Sequence, residues 1–74
     1  MNKAIITGAS GFLGKQLINE LLSRNVKIVA LDIRFDDILL QNKNITCINC
    51  KDKNPFDLQN ELEKQNADTF FHLA

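Results

Sequence analysis

The chain has 74 residues, 45% hydrophobic and 24% charged, with nine basic and nine acidic side chains and a formal net charge of zero. That length allows one domain at most, burying only about 60% of the surface its unfolded chain exposes. The balanced charge excludes a single-sign field that would draw the chain to nucleic acid or to an acidic membrane surface. No apolar run approaches the roughly 18 residues of a membrane span. The short apolar stretch near the N-terminus breaks off at Thr7 and Gly8, which makes a poor signal peptide. Two cysteines do not suggest a disulfide framework, so the expected compartment is the cytoplasm.

Residues 3–7, KAIIT, and 26–32, VKIVALD, are short, rich in Ile and Val and almost uninterrupted in apolar character. Strands covered on both faces of a parallel sheet read this way. Between them, Leu13, Leu17 and Leu21 recur every four residues, with Ile18 and Leu22 one step round and Lys15, Asn19, Glu20 and Arg24 opposite. That spacing predicts an amphipathic helix of about three turns over 12–25. Strand, helix and strand over some thirty residues make a βαβ unit with a right-handed crossover. Residues 34–44 read as a short helix, or a loop with one helical turn, held by Ile38, Leu39 and Leu40. A third strand over 45–50, ITCINC, follows. The next segment, 54–66, opens with Asn54 as N-cap and Pro55 at the first helical position, with Asp57 and Glu61 toward the positive end of the dipole. Residues 67–74, ADTFFHLA, read as a fourth strand. The order β-α-β-(α)-β-α-β predicts an α/β, Rossmann-type fold with a parallel sheet.

All three glycines of the chain, Gly8, Gly11 and Gly14, fall within the stretch 7–14, TGASGFLG, between the first strand and the helix. At such a turn Gly8 allows the tight bend, Gly11 lets the backbone approach a ligand, and Gly14 brings the helix close. The helix that opens there points free N–H groups and its positive dipole end at the ligand, which suits a pyrophosphate. A glycine-rich turn without a ligand is the alternative. The strand before it, the helix after it and an acid at the right distance favour dinucleotide binding. That acid is Asp32, 18 residues beyond Gly14 at the end of the second strand. There a carboxylate accepts from ribose hydroxyls and repels a 2′-phosphate, which favours NAD over NADP. For Asp32 the plainer reading is an ordinary helix cap. Arg34 either stands in a solvated loop or holds a phosphate bidentately.

The spacing T-G-x-x-G-x-x-G, the stretch 28–34 (IVALDIR) and the closing 67–74 (ADTFFHLA) resemble the extended short-chain dehydrogenase/reductases. This is the family of NAD-dependent nucleotide-sugar epimerases and dehydratases, whose fourth strand carries D-x-x-F-H-L-A-A. The resemblance implies that Gly8, Gly11, Phe12, Leu13 and Gly14 line the pyrophosphate and that Asp32 and Ile33 meet the adenosine ribose. It also implies that Leu73 and Ala74 lie near the ribose and phosphates. Where the family has Gly-Asp-Ile or Gly-Asp-Leu after strand three, this chain reads Cys50, Lys51 and Asp52. Either a shift of one residue brings Asp52 to the adenine, or that contact is lost.

Cys47 and Cys50 form a C-x-x-C on a strand, where positions three apart face opposite ways, so the thiols read as packing groups. His72 reads as structural, with only Asp68 near it in sequence, and Phe70 and Phe71 as core and edge residues. Members of the resembled family transfer hydride with a tyrosine and a lysine one helical turn later. The composition contains no tyrosine, so this chain alone has no Tyr-x-x-x-Lys. The resemblance spans about the first quarter of a typical member, so residues 1–74 read as the N-terminal part of the cofactor domain. Catalytic and substrate regions, and any nucleotide sugar, belong to a longer protein. With strand order 3-2-1-4, the first two helices cover one face and only 54–66 covers the other. Strand four is then an open apolar edge, and the expectation is a homodimer through the bare face or that edge.

Overall fold

A computed structural model describes residues 1–51 and 53–73. The elements are β1 (Lys3–Thr7), α1 (Phe12–Ser23), β2 (Lys27–Asp32), α2 (Asp37–Gln41), β3 (Ile45–Asn49), α3 (Pro55–Glu63) and β4 (Thr69–His72). The strands form one parallel sheet in the order β3-β2-β1-β4, as the sequence predicts. Ile5 on β1 sits opposite Val29 on β2 and Phe70 on β4, which sets the register of the central strands.

Each helix boundary has a local cause. Helix α1 ends at Arg24, followed by Asn25 in the left-handed region at φ 63°. Asn25 N–H donates to the Leu22 carbonyl and Val26 N–H to that of Leu21, both at 3.0 Å, which together close a Schellman turn. At the start of α3 the Asn54 side chain accepts from Asp57 N–H at 2.8 Å, with Pro55 in the first turn, as expected. The ambiguous segment 34–44 forms a true short helix, α2, because the Asp36 carboxylate accepts from Leu39 N–H at 3.0 Å. Of its three apolar residues only Leu39 is buried; Ile38 and Leu40 are exposed.

The helices distribute over the sheet as the strand order requires. On one face α1 and α2 bury Ile18, Leu21 and Leu39 against Ala4, Ile6, Ile28, Ala30 and Ile45. The other face carries Ile5, Val29, Leu31 and Ile48, and only the half-buried Leu58 and Leu62 of α3 reach it. One expectation is corrected here. Leu13 is not part of the apolar stripe of α1, which runs through Gly14, Leu17, Ile18, Leu21 and Leu22, and it is 67% exposed. It stands in the first turn, next to the buried Gly14 and outside the packed stripe of the helix.

Asp68 ties the start of β4 to the chain's first residues, its carboxylate accepting from Asn2 N–H at 2.8 Å and from Thr69 Oγ1 at 3.1 Å. The Asn2 amide holds the carboxyl below its ordinary value of 3.8. Because the folded state binds that proton less tightly than the unfolded chain, the contribution of Asp68 to stability is complete above the unfolded value. It is lost as pH falls through the folded one. Melting temperature is therefore expected to fall on acidification below about pH 4. Asp68→Asn should flatten that fall in a thermal melt series. Asp36, lowered by its bond to Lys15, supplies a remaining part of the acid sensitivity.

Candidate functional site

The chain runs β1, β2 and β3 in one direction across the sheet and then places β4 on the far side of β1. This reversal leaves a crevice beyond the carboxyl ends of β1 and β4, where open α/β sheets bind ligands. The glycine turn occupies that position.

After Thr7 the backbone enters the left-handed region at Gly8, φ 68°, which glycine adopts at no steric cost. Ala9 N–H donates to the Leu31 carbonyl at 3.3 Å, Ser10 N–H to Asp32 Oδ2 at 2.9 Å, and Gly11 N–H to the Gly8 carbonyl at 3.2 Å. The turn is thus held to the end of β2. At Gly14 a Cβ would lie 2.5 Å from the Ala9 carbonyl oxygen and 2.6 Å from that of Gly8, so no larger residue fits without moving backbone. Helix α1 is therefore pressed onto the turn itself. At Gly11 the nearest atom to a Cβ would be the Gly8 oxygen at 3.4 Å, an ordinary contact, and the position is exposed.

No side chain caps α1, whereas Asp36 and Asn54 cap the other two helices. Its first-turn N–H groups, on Phe12, Leu13 and Gly14, receive no side-chain cap and stand at the positive end of the helix dipole. The exposed side chains of Phe12 and Leu13 flank this point. The arrangement can hold an anion on bare backbone.

Asp32 is fixed by two backbone donors, with Oδ1 accepting from Ile33 N–H at 2.7 Å and Oδ2 from Ser10 N–H at 2.9 Å. It caps no helix; that part is taken by Asp36. Each carboxylate oxygen keeps a second lone pair, so Asp32 can still accept from a ligand hydroxyl. A pocket of about 220 Å³ opens beside it, lined by Thr7, Gly8, Leu31, Ile33, Cys50 and Leu58. Ile33 is exposed at its rim. Arg34 is exposed too, and its carbonyl accepts from the Ser10 hydroxyl.

On the other side of the crevice Leu73 N–H donates to both the carbonyl and the hydroxyl oxygen of Thr7, at 3.2 Å each, which places Leu73 beside β1. The Thr7 hydroxyl also meets His72 Nδ1 at 2.8 Å. His72 is therefore positioned by Thr7 and not by Asp68, which sits at the opposite end of β4. Asp52 and Ala74, expected at the adenine and at the end of strand four, lie outside the described residues.

Cys47 packs on the α1 face and Cys50 on the α3 face, so the strand geometry separates the two thiols as the sequence predicts. Burial pushes both thiol pKa values up, and the negative charge of Asp36 beside Cys47 and of Asp32 beside Cys50 adds to it. Three supporting residues escape sequence reasoning. Ser10 joins the turn to Asp32 and Arg34, Thr7 holds the start of Leu73, and Asn49 bridges Ile33 and Lys51. Only Asn49, a turn-forming residue at the end of a strand, carries a readable signal.

The sequence pattern of the NAD dependent epimerase/dehydratase family matches residues 4–74. No curated protein matches the chain. Among solved structures, a short chain dehydrogenase from Leptospira borgpetersenii serovar Hardjo-bovis with bound NAD+ is 24% identical with a TM-score of 0.80. The match covers 99% of this chain and 31% of that one. The Bordetella bronchiseptica enzyme WbmG, in complex with NAD, is 21% identical with a TM-score of 0.83, over 97% of this chain and 24% of that one. At these identities the likeness carries the fold. The chain spans less than a third of the length of either structure.

Proposed function

The chain belongs to the NAD-dependent epimerase/dehydratase family, and from that premise we propose that it binds NAD and forms the cofactor-binding portion of an oxidoreductase. Residues 1–74 then make up the N-terminal part of a dinucleotide-binding domain. The observation that carries this reading is the uncapped start of α1 on a turn that only glycine allows, with Asp32 held rigidly beside it. Gly8, Gly11 and Gly14, with the N–H groups of Phe12 and Leu13, would hold the pyrophosphate; Asp32 and Ile33 would hold the adenosine ribose. Asp52 is proposed at the adenine, and Leu73 and Ala74 near the ribose and phosphates. Both solved relatives carry NAD, which agrees with this choice of cofactor.

When bound, NAD supplies hydride transfer. The residues of this chain bind and orient the dinucleotide, and the α1 dipole and backbone N–H groups neutralise its phosphates. In a longer polypeptide the reaction would be epimerisation or dehydration of a nucleotide sugar in the cytoplasm. The second reading is a dinucleotide-binding or sensor module without chemistry. A Tyr-x-x-x-Lys in the coding sequence after codon 74 supports the enzyme, and its absence the sensor.

Calorimetric titration of the chain tests cofactor choice. NAD is expected to bind, and NADP at least about tenfold more weakly, because a 2′-phosphate beside the Asp32 carboxylate adds like-charge repulsion and loses a hydroxyl donor. Tighter binding of NADP would refute the role of Asp32 and turn attention to Arg34 and an NADP-dependent reductase. No heat with either dinucleotide would refute the site.

A further inference from the structure

The loop after β2 carries charges that the glycine turn and Asp32 leave unused. This loop is fastened twice to the start of α1. The Ser10 hydroxyl donates to the Arg34 carbonyl, and Lys15 Nζ forms an ion pair with Asp36 Oδ2 at 2.5 Å. Lys15 follows Gly14, and its N–H donates to the Gly11 carbonyl at 3.0 Å, so its ammonium is borne at the end of the first turn of α1. Asp36 is also held by its own helix, since Oδ1 accepts from Leu39 N–H at 3.0 Å. The bond to Lys15 keeps its carboxyl below the ordinary value of 3.8, so Asp36 is charged at neutral pH. The pair lies within electrostatic reach of Asp32. Ser10 holds both the Asp32 carboxylate, through its N–H at 2.9 Å, and the Arg34 carbonyl, which sets Arg34 beside that carboxylate. Asp36 is two residues further on, a span of at most about 7 Å. The Debye length at physiological salt is about 8 Å.

We propose that the Lys15–Asp36 ion pair is a second determinant of cofactor choice, in which Asp36 withholds the Lys15 ammonium from a 2′-phosphate; this rests on dinucleotide binding at the glycine turn and Asp32. The ribose of NAD presents neutral hydroxyls, so the pair leaves NAD binding almost untouched. A 2′-phosphate brings about −1.5 to −2 of charge at neutral pH. It meets three carboxylates, on Asp32, Asp36 and Asp37, against two cations, Lys15 and Arg34, and Lys15 is already engaged. The charge of Arg34 therefore does not by itself turn the site toward NADP. Both side chains of the pair are nearly half exposed, and an ion pair of this kind contributes little to stability. Its removal is read in selectivity, not in folding.

Asp36→Asn frees Lys15 and keeps the start of α2, because asparagine caps a helix as well as aspartate does. Calorimetric titration of this variant should show NADP affinity raised at least about fivefold, with NAD affinity changed by less than about twofold. The gain should shrink as sodium chloride is raised from about 0.05 M to about 0.5 M, because screening weakens it. Adding Lys15→Gln to Asp36→Asn should return the ratio of NADP to NAD affinity to that of the parent chain. A role for Asp36 in α2 alone would not be reversed in this way. NAD binding with an unchanged ratio in Asp36→Asn would overturn the proposal and leave the cofactor site standing. A ratio that stays shifted in the double variant would also overturn it, because the effect would then not pass through Lys15. Failure of parent and variants alike to bind either dinucleotide would overturn the site and this proposal together.

Discussion

Gly14→Ala is expected to lower the melting temperature by roughly 10 °C, from about 2 kcal/mol of overpacking in a domain of this size. The added methyl would stand 2.5 Å from the Ala9 oxygen and 2.6 Å from the Gly8 oxygen. Both are backbone atoms in a turn whose amides are fixed to Leu31 and Asp32, so neither can yield alone. Relief requires α1 to lift from the turn, which also strains the packing of Ile18 and Leu21 on the sheet. Gly11→Ala separates stability from binding at the same motif. There the Cβ meets only an ordinary contact at 3.4 Å, and the loss should stay within about 1 kcal/mol, the scale of a helix N-cap change. Its methyl would nevertheless stand at the exposed mouth of the turn, where the pyrophosphate is proposed to lie. Thermal melts with dinucleotide titrations on both variants read the two effects apart. A Gly14→Ala protein that melts like the parent would contradict the close approach of α1 to the turn.

Asp32→Asn is expected to weaken NAD binding by at least about tenfold, the scale of one hydrogen bond to a charged acceptor. It should also narrow the preference over NADP, since the repelling charge is gone. The substitution keeps the side chain's shape but leaves one acceptor oxygen where the carboxylate has two. Ser10 N–H and Ile33 N–H now each take one of those oxygens. One of them must lose its partner in the variant, so the turn loosens as well as the ribose contact. Calorimetry with both dinucleotides measures the first effect. Amide hydrogen exchange at Ser10 and Ile33 measures the second. Unchanged selectivity between NAD and NADP would remove Asp32 from the specificity of the site.

Much of this architecture is legible without coordinates because its signals are local. Alternation of Ile- and Val-rich strands with amphipathic segments marks βαβ units, and Asn54-Pro55 marks the start of α3 where the structure has it. The C-x-x-C could be read as two packing thiols because strand periodicity alone sets their faces. The failures are also informative. Leu13 fits the four-residue repeat but precedes the packed stripe, and periodicity does not record where a neighbouring element ends. Asp68 is close to His72 in sequence, yet four residues of extended strand carry it to the other end of the sheet. Its partners, Asn2 and Lys3, are more than sixty residues away in the chain.

By itself the sequence determined the kind of fold and the clustering of Gly8, Gly11 and Gly14 at a strand-to-helix turn. Those follow from covalent geometry, hydrophobic periodicity and composition, which act over a few residues. Tertiary structure alone decided that β2 anchors the glycine turn through Leu31 and Asp32, that Thr7 positions Leu73 and His72, and that α3 leaves Phe70 uncovered. Each depends on which distant segments the sheet brings side by side, and that is settled by burying apolar surface, not by any local preference.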